Sequence, residues 1–183
     1  MTDMLEIREG RPADAARVLA LFDEAIAWLV ARGQLGQWGS TPFSALERRV
    51  AQAAEWAAGG GLRIASLDRV VAGALVLGAR PPWVAPVEKA ERYIEALVTS
   101  RAFAGRDVGG ELVRRAIAEA SAAGAALLRV DCWADAPELV AWYERQGFRR
   151  SGTFELEGWH GQVLSMPVEP AVPEPLAAAS ATA

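Results

Sequence analysis

The sequence predicts a single mixed α/β domain, and three observations support that prediction. Runs rich in β-branched and aromatic residues alternate with segments whose apolar residues recur at helical spacing, in the order β-α-α-β-β-β-α-β-α-β-β. The strand–helix–strand section over residues 92–133 is typical of two parallel strands joined by a right-handed crossover. The chain has 183 residues, the length of one domain with a substantial core.

The first half of the chain predicts one strand, two helices and a hairpin. Residues 5–10 alternate as a short strand, and residues 12–33 predict a helix that begins at a proline and ends at a glycine. A second amphipathic helix follows Pro42, and two β-rich runs that meet at Asp68 and Arg69 predict the hairpin. The predicted apolar face of the second helix consists of Phe43, Leu46, Val50 and Ala54.

The second half predicts four strands and two helices. Residues 92–100 form an apolar strand, a helix runs from Val108 to Gly124, and a buried strand follows up to residue 133. Residues 137–147 predict a helix with proline in its first turn and glycine at its end. Two last strands lie within residues 148–168.

Beyond Met166 the composition changes. Residues 169–183 are rich in proline and alanine and contain no aromatic residue, which is typical of a disordered tail. We therefore expect a folded domain over residues 1–168 and a disordered tail over residues 169–183.

Composition and charge argue against several classes of protein. The chain is 52% hydrophobic, yet it has no long uncharged apolar run and no signal peptide, so we expect no membrane partner. The net charge of −4 argues against nucleic acid as a partner. The single cysteine, Cys132, excludes a disulfide framework and fits a reducing cytoplasm. We expect a cytoplasmic monomer or homodimer.

The segment RAFAGRDVGG, residues 101–110, lies where a predicted strand leads into a predicted helix. The first N–H groups of a helix lack partners and carry partial positive charge, so such a junction can bind an anion. Gly105, Gly109 and Gly110 would let a ligand approach the backbone. The segment has neither the Walker nor the dinucleotide glycine pattern. The glycines alone therefore leave open an anion-binding loop and an ordinary helix start.

Two segments, residues 92–133 and 136–148, resemble the GNAT superfamily of acetyl-CoA-dependent N-acetyltransferases. The family's loop pattern, Arg/Gln-x-x-Gly-x-Gly/Ala, falls on residues 104–109, where Ala104 and Asp107 replace its first and fourth residues. The second pattern, Tyr-Glu-x-x-Gly-Phe, is intact over residues 143–148, while Ala136 replaces its usual asparagine. The resemblance implies a mostly antiparallel twisted sheet of about seven strands with four helices.

The resemblance also implies a site and a reaction. Acetyl-CoA would be the co-substrate, without a metal, and its acetyl group would pass directly to an amine. Tyr143 would protonate the departing thiolate; the alternative is a core aromatic that shares a helix face with Leu139. The strand edge would pair with the pantetheine arm and the loop backbone would hold the pyrophosphate. The implied cofactor-binding residues are Leu97, Val98, Thr99, Gly105, Arg106, Asp107, Val108, Gly109 and Gly110.

Asp107 places a negative charge where the cofactor's phosphates would lie. Two unit charges about 6 Å apart repel by roughly 1–3 kcal/mol. At the start of a helix, however, an aspartate can act as the N-cap, which contributes about 1 kcal/mol. Arg101 and Arg106 could offset its charge. We expect a working loop in which Asp107 caps the helix and points away from phosphate; the alternative is a weakened or inactive loop.

Two carboxylates on central strands are candidates for the base that deprotonates the amine. Glu95 shares strand parity with Tyr93 and Thr99 and precedes the proposed thioester site. Asp131 lies on the neighbouring strand, at the position where some GNAT members have a glutamate base. The alternative for each is a structural carboxylate paired with an arginine such as Arg92 or Arg129. Its strand parity and its place before the proposed thioester site favour Glu95 over Asp131.

Tryptophans near the ends of the predicted elements are candidates for the acceptor site, because loop aromatics often bind small molecules and amines. The candidates are Trp28, Trp38 and Trp159, with sheet-end packing as the alternative for each. We expect an enzyme that acetylates a small primary amine, such as an amino acid, a polyamine or an amine antibiotic. The alternatives are a non-catalytic module that binds acetyl-CoA or an amine, and a protein or peptide N-acetyltransferase.

Overall fold

A computed structural model describes residues 4–171. Its seven strands form one sheet in the order β1-β2-β3-β4-β5-β7-β6, and only β4 and β5 run parallel. The predicted order, sheet type and helix number are confirmed. The elements are β1 (Leu5–Glu9), α1 (Ala15–Ala31), α2 (Glu47–Ala58), β2 (Leu62–Leu67), β3 (Val70–Gly78), β4 (Glu91–Thr99), α3 (Val108–Ala122), β5 (Leu127–Trp133), α4 (Pro137–Arg145), β6 (Arg149–Leu156) and β7 (Trp159–Pro167).

The β2–β3 hairpin turns at the residues that the sequence indicated. Asp68 and Arg69 have φ values of 49° and 69°, and Leu67 pairs directly with Val70. Two central residues with positive φ match the twist of an antiparallel pair, as in a type I′ turn. The predicted hairpin is therefore confirmed.

The predicted apolar face of the second helix is wrong, although the helix exists. A 3₁₀ turn at Phe43–Ala45 precedes it, and Leu46 has an extended backbone with φ −111° and ψ 111°. This interruption breaks the helical phase, so α2 buries Ala53 and Ala57 while Val50 is 42% exposed. Of the predicted face, only Phe43 is fully buried.

Helices cover both faces of the sheet, and each pair has its own apolar core. On one face, α3 and α4 contribute Leu112 and Tyr143 to a cluster that includes Val130 of β5. On the other face, α1 and α2 pack against the alternate side chains of β3 and β4, such as Ala74 and Val98. The sheet thus separates two apolar layers, as in other α/β domains.

The two parallel strands separate halfway along their length. The β4–β5 pairing covers Glu91–Ile94 and Leu127–Val130. Beyond it, residues 96–99 of β4 pair only with β3, and residues 131–133 of β5 pair only with β7. We call the opening after Ile94 and Val130 the fork. It leaves one backbone edge of β4 free.

The chain leaves the sheet along the end of α3. The Ser121 hydroxyl donates to the carbonyl of Glu169 at 2.7 Å, and the N–H of Ala171 donates to the carbonyl of Ser121 at 3.0 Å. Residues 172–183, most of the predicted tail, lie outside the described residues. Within the described part of the chain, no helix has the length and apolar character needed to cross a membrane.

Candidate active site

The 101–110 loop connects the end of β4 to the start of α3 and directs backbone donors outward. It begins with a 3₁₀ turn, Arg101–Phe103, and reverses at Gly105, whose φ is +82°. The first intrahelical bond of α3 runs from the N–H of Glu111 to the carbonyl of Asp107, at 3.0 Å. The N–H groups of residues 108–110 therefore have no partner within the helix and can bind an anion.

Gly109 lies where α3, β4 and α4 meet. A side chain at this position would place its first carbon 3.0 Å from the Trp142 ring and 3.7 Å from the Thr99 methyl group. Glycine therefore keeps the helix start close to both neighbouring elements. The sequence interpretation did not include Trp142, although it directly precedes the tyrosine of the second pattern.

Asp107 stands at the N-cap position of α3, but the prediction that its side chain caps the helix is wrong. Its backbone is left-handed, with φ 53° and ψ 26°, and its carboxylate makes no capping hydrogen bond. The carboxylate instead accepts from Arg114 Nη2 at 2.7 Å. A partner two helical turns away replaces the local backbone donors.

Tyr143 lies in the apolar core beneath the fork. Only 5% of its surface is exposed, and its ring makes edge contacts with Trp142 and Phe148 at centroid distances of 4.9 and 5.7 Å. Burial raises the pKa of Tyr143 above its ordinary value, and Cys132 and Asp131 raise it further. The hydroxyl therefore stays protonated at neutral pH and lies within electrostatic reach of both β5 residues.

The two candidate bases flank the fork. Glu95 and Asp131 directly follow Ile94 and Val130, the last paired residues of β4 and β5. Asp131 accepts from the Tyr93 hydroxyl at 2.6 Å, and Glu95 accepts from Trp56 Nε1 at 3.1 Å. Burial raises the pKa of Asp131, while the bond from Tyr93 lowers it.

The alternative of arginine-paired carboxylates does not hold for either residue among the described residues. Arg129 instead donates to Glu91 at 3.0 Å and to the carbonyl of Ala85 at 3.0 Å. Glu95 and Asp131 form no salt bridge with a described arginine. Among the described residues, neither carboxylate is therefore neutralised by an arginine.

The predicted strand parity of Glu95 with Thr99 is wrong, because β4 contains a bulge. Ile94 pairs with Leu77 and Ala96 pairs with Val76, so Glu95 has no partner on β3. An extra residue shifts the alternation of side chains beyond it and increases the local twist. The bulge lies at the residue where β4 and β5 separate.

Trp38 lies on the loop between α1 and α2, and Trp133 and Trp159 contact the same loop at residues 36 and 37. Trp159 Nε1 donates to the carbonyls of Gly36 and Gln37 at 2.9 and 3.2 Å. The Trp133 ring occupies the space that a side chain at Gly36 would need. Trp38 packs edge-on against Phe22 at 5.1 Å. We call Trp38, Trp133 and Trp159 the tryptophan cluster.

Trp28 lies elsewhere, beside the start of the 101–110 loop. The guanidinium groups of Arg32 and Arg101 lie 4.8 and 4.2 Å from the centroid of its ring, which indicates cation–π contacts. Glu24, one turn earlier on α1, accepts from the Ser100 hydroxyl at 3.0 Å and from the N–H of Arg101 at 2.6 Å. Trp28 therefore holds α1 against the loop rather than joining the cluster.

Cys132 points into the core, opposite to Asp131. It is 6% exposed, and burial raises the pKa of its thiol to about 12. Such a thiol is protonated at neutral pH and is a poor nucleophile. Over residues 4–171, no group of three or more His, Cys, Asp or Glu side chains is arranged to hold a metal ion.

The sheet thus opens between two parallel strands, and a glycine-containing loop follows one of them. Residues 21–148 match the Acetyltransferase (GNAT) family, and the chain belongs to that family. No curated protein matches the sequence significantly.

Solved acetyltransferases share this fold at low sequence identity. A GNAT-family acetyltransferase from Listeria monocytogenes is 20% identical, with a TM-score of 0.68 over 90% of this chain and 95% of that chain. An N-acetyltransferase from Staphylococcus aureus is 18% identical, with a TM-score of 0.67 over 90% and 98%. An acetyltransferase from Salmonella typhimurium, solved with its cofactor acetyl-CoA, is 17% identical, with a TM-score of 0.63 over 93% and 98%.

Proposed function

We propose that this enzyme transfers the acetyl group of acetyl-CoA to the primary amine of a small molecule by direct attack. The observation that carries the proposal is the fork. A protonated phenol, Tyr143, lies in the core on one face, and two carboxylates without arginine partners, Glu95 and Asp131, follow the last strand pair. An acid and a base on either side of a reacting carbonyl are what acyl transfer to an amine requires.

The loop and the free strand edge fit acetyl-CoA. The unpaired N–H groups of residues 108–110 suit a pyrophosphate. The edge of β4 over residues 97–99 has no strand partner on the fork side, so it can bond the amide groups of the pantetheine arm. Bound acetyl-CoA would supply the thioester that the amine attacks. The acetyl-CoA complex of the Salmonella typhimurium neighbour supports this assignment.

Tyr143 is our proposed general acid. Its raised pKa keeps the hydroxyl protonated, and no described residue forms a hydrogen bond with that hydroxyl. A thiolate that departs at the fork would therefore be the partner that accepts its proton.

Asp131 is our proposed general base, with Glu95 as an electrostatic contact for the incoming amine. Burial raises the pKa of Asp131, which moves the carboxyl toward the pH at which a base works best. Its hydrogen bond from the Tyr93 hydroxyl fixes its orientation at 2.6 Å. Glu95 is exposed on the bulge and is held by Trp56, so it can attract a cationic amine.

The tryptophan cluster and the two carboxylates together favour a cationic amine with an apolar body. Aromatic rings attract ammonium groups and cover methylene chains, while the carboxylates neutralise the charge. Amino acids with apolar side chains, polyamines and amine antibiotics all combine these features. A buried single cysteine, Cys132, supports a reducing compartment, and we propose the cytoplasm.

A panel of amines tests the proposal. The enzyme is mixed with acetyl-CoA and each amine, and the free thiol of the released coenzyme A is measured. Amino acids, polyamines, an aminoglycoside and short peptides with free N-termini form the panel, with Tyr143→Phe as the matched control. Thiol release with a small amine, lost in the control, supports the proposal.

Two other outcomes correspond to the alternative functions. Ala104, Asp107 and Ala136 depart from the family patterns, which favours a binding module. If calorimetry shows that acetyl-CoA binds, but no amine of the panel causes release of the coenzyme A thiol, the result would support that module. Thiol release with peptides alone would identify a peptide N-acetyltransferase.

A further inference from the structure

We propose that Arg114 is a positioning residue that keeps the Asp107 carboxylate from hydrogen bonding to the anion-binding N–H groups of α3, so that a loop containing an aspartate can still bind acetyl-CoA. The proposal rests on the acetyl-CoA site described above. It concerns three residues of this chain: Asp107, Gly110 and Arg114. None of them acts through its own side chain on the cofactor.

The backbone conformation of Asp107 keeps its carboxylate out of the position in which it would cap the helix. The residue adopts the left-handed conformation, which is uncommon for a non-glycine residue and which aspartate tolerates better than most. In this conformation the side chain lies beside the first turn without accepting a hydrogen bond from its N–H groups, as a normal N-cap would. The absence of a capping bond is the direct evidence.

Gly110 provides the space into which the carboxylate moves. A side-chain carbon at this position would overlap the Oδ1 atom of Asp107 and approach its Cγ atom to 2.8 Å. The carboxylate therefore lies across the outer surface of the first helical turn. Glycine is a poor helix former, so its presence inside α3 has a physical reason here.

Arg114 fixes the carboxylate in that place. Its Nη2 atom lies 2.7 Å from Asp107 Oδ2 and 2.8 Å from Glu111 Oε1. The bond to Glu111, three residues earlier on the same helix, orients the guanidinium group toward the N-terminus of α3. The Asp107 charge is thus compensated by a cation farther along the helix, and its repulsion of a bound phosphate is reduced.

The expected effect is moderate, because the pair is accessible to water. The side chains of Arg114 and Asp107 are 51% and 59% exposed, and solvent screens such pairs. We expect Arg114→Gln to raise the Kd for acetyl-CoA about threefold to tenfold at low ionic strength, and less at high salt.

A double-mutant cycle, measured by calorimetric titration of acetyl-CoA, tests the proposal. It compares the wild type, Arg114→Gln, Asp107→Asn and the double variant at low salt. Asp107→Asn should bind at least as tightly as the wild type, and Arg114→Gln should have no effect in its presence. Arg114→Lys should restore most of the affinity, because it returns the charge. Arg115→Gln, at the neighbouring position, is the matched control and should leave the Kd unchanged.

A second variant reaches the same carboxylate by a different route. Gly110→Ala keeps the backbone N–H and raises helix propensity, so it should not weaken folding. It should nevertheless raise the Kd, because the new methyl group displaces the Asp107 carboxylate. Asp107→Asn should relieve that effect.

Each remaining outcome would overturn the proposal in a distinguishable way. If Arg114→Gln raises the Kd equally in the wild type and in Asp107→Asn, Arg114 contacts the cofactor directly or supports the helix. The acetyl-CoA site would be retained in that case. Binding to Asp107→Asn but not to the wild type would mean that the carboxylate blocks the loop despite Arg114. An absence of binding in all four proteins would remove the acetyl-CoA site itself, and the proposed function with it.

Discussion

The two faces of the fork are built in different ways. On the α3 and α4 face, the candidate anion-binding loop and Tyr143 lie in two segments of about ten residues each, and Tyr143 lies in an apolar core. On the other face, the tryptophan cluster combines residues from the α1–α2 loop, the end of β5 and the start of β7. The arrangement on the first face depends on two short sequence patterns, one in the loop and one around Tyr143. The second depends on contacts between residues more than a hundred positions apart, such as Trp159 and Gly36.

This difference suggests that the two faces have different functions. A helix start and a strand edge can bind the same cofactor in many enzymes, because backbone groups supply the bonds. A wall assembled from loops can change its side chains without disturbing the fold. We therefore expect changes to the loop and to Tyr143 on the α3 and α4 face to affect turnover or acetyl-CoA binding, and changes to the tryptophan cluster on the other face to affect the acceptor.

The largest effect is expected from Tyr143→Phe. Removal of the hydroxyl should lower kcat by about 10²-fold or more, within the range of general acid catalysis, with the Kd for acetyl-CoA nearly unchanged. The ring stays in place, so packing against Trp142 and Phe148 is kept. Steady-state kinetics and calorimetry measure the two quantities. An unaltered kcat would assign Tyr143 to the core alone.

An intermediate effect is expected from Asp131→Asn. The amide can still accept from the Tyr93 hydroxyl, yet it cannot take a proton, so turnover should fall by about tenfold to 10²-fold. Burial raises the pKa of Asp131 above 3.8, so its carboxylate is lost as the pH falls through that raised value. The acid limb of the kcat/KM profile should therefore lie above pH 3.8 in the wild type and flatten in the variant.

Glu95→Gln is the matched comparison for the base. It should raise the KM for a cationic amine and leave the acid limb in place, since Glu95 is the electrostatic contact in this assignment. A profile that flattens with Glu95→Gln and not with Asp131→Asn would exchange the two roles. If neither variant alters the acid limb of the profile, water would be the base.

The smallest effect is expected from Trp159→Phe. The change keeps an aromatic ring and removes the Nε1 donor to the carbonyls of Gly36 and Gln37. A hydrogen bond of this kind contributes about 1 kcal/mol, so the acceptor KM should rise about threefold to tenfold. Acetyl-CoA affinity should not change. Trp83→Phe, at a position that is 48% exposed, is the control. If both changes raise the acceptor KM equally, the tryptophan cluster is not part of the acceptor site.

The sequence by itself determined the order of the elements and the parts of the site that are local in the chain. Helical spacing and alternation are properties of neighbouring residues, so the seven strands, the four helices and the turn at Asp68 and Arg69 follow from them. The loop and Tyr143 could be located because each belongs to a short pattern that resembles the family.

Only the tertiary structure decided which side chains meet. A single unpaired residue, Glu95, shifts the side-chain alternation of β4, and an extended residue, Leu46, shifts the phase of α2. The partner of Asp107 is Arg114 rather than the backbone beside it, and Trp133 reaches Gly36 from the end of a distant strand. Such outcomes depend on bulges, competing hydrogen bonds and long-range packing, whose energies arise only after the elements have come together.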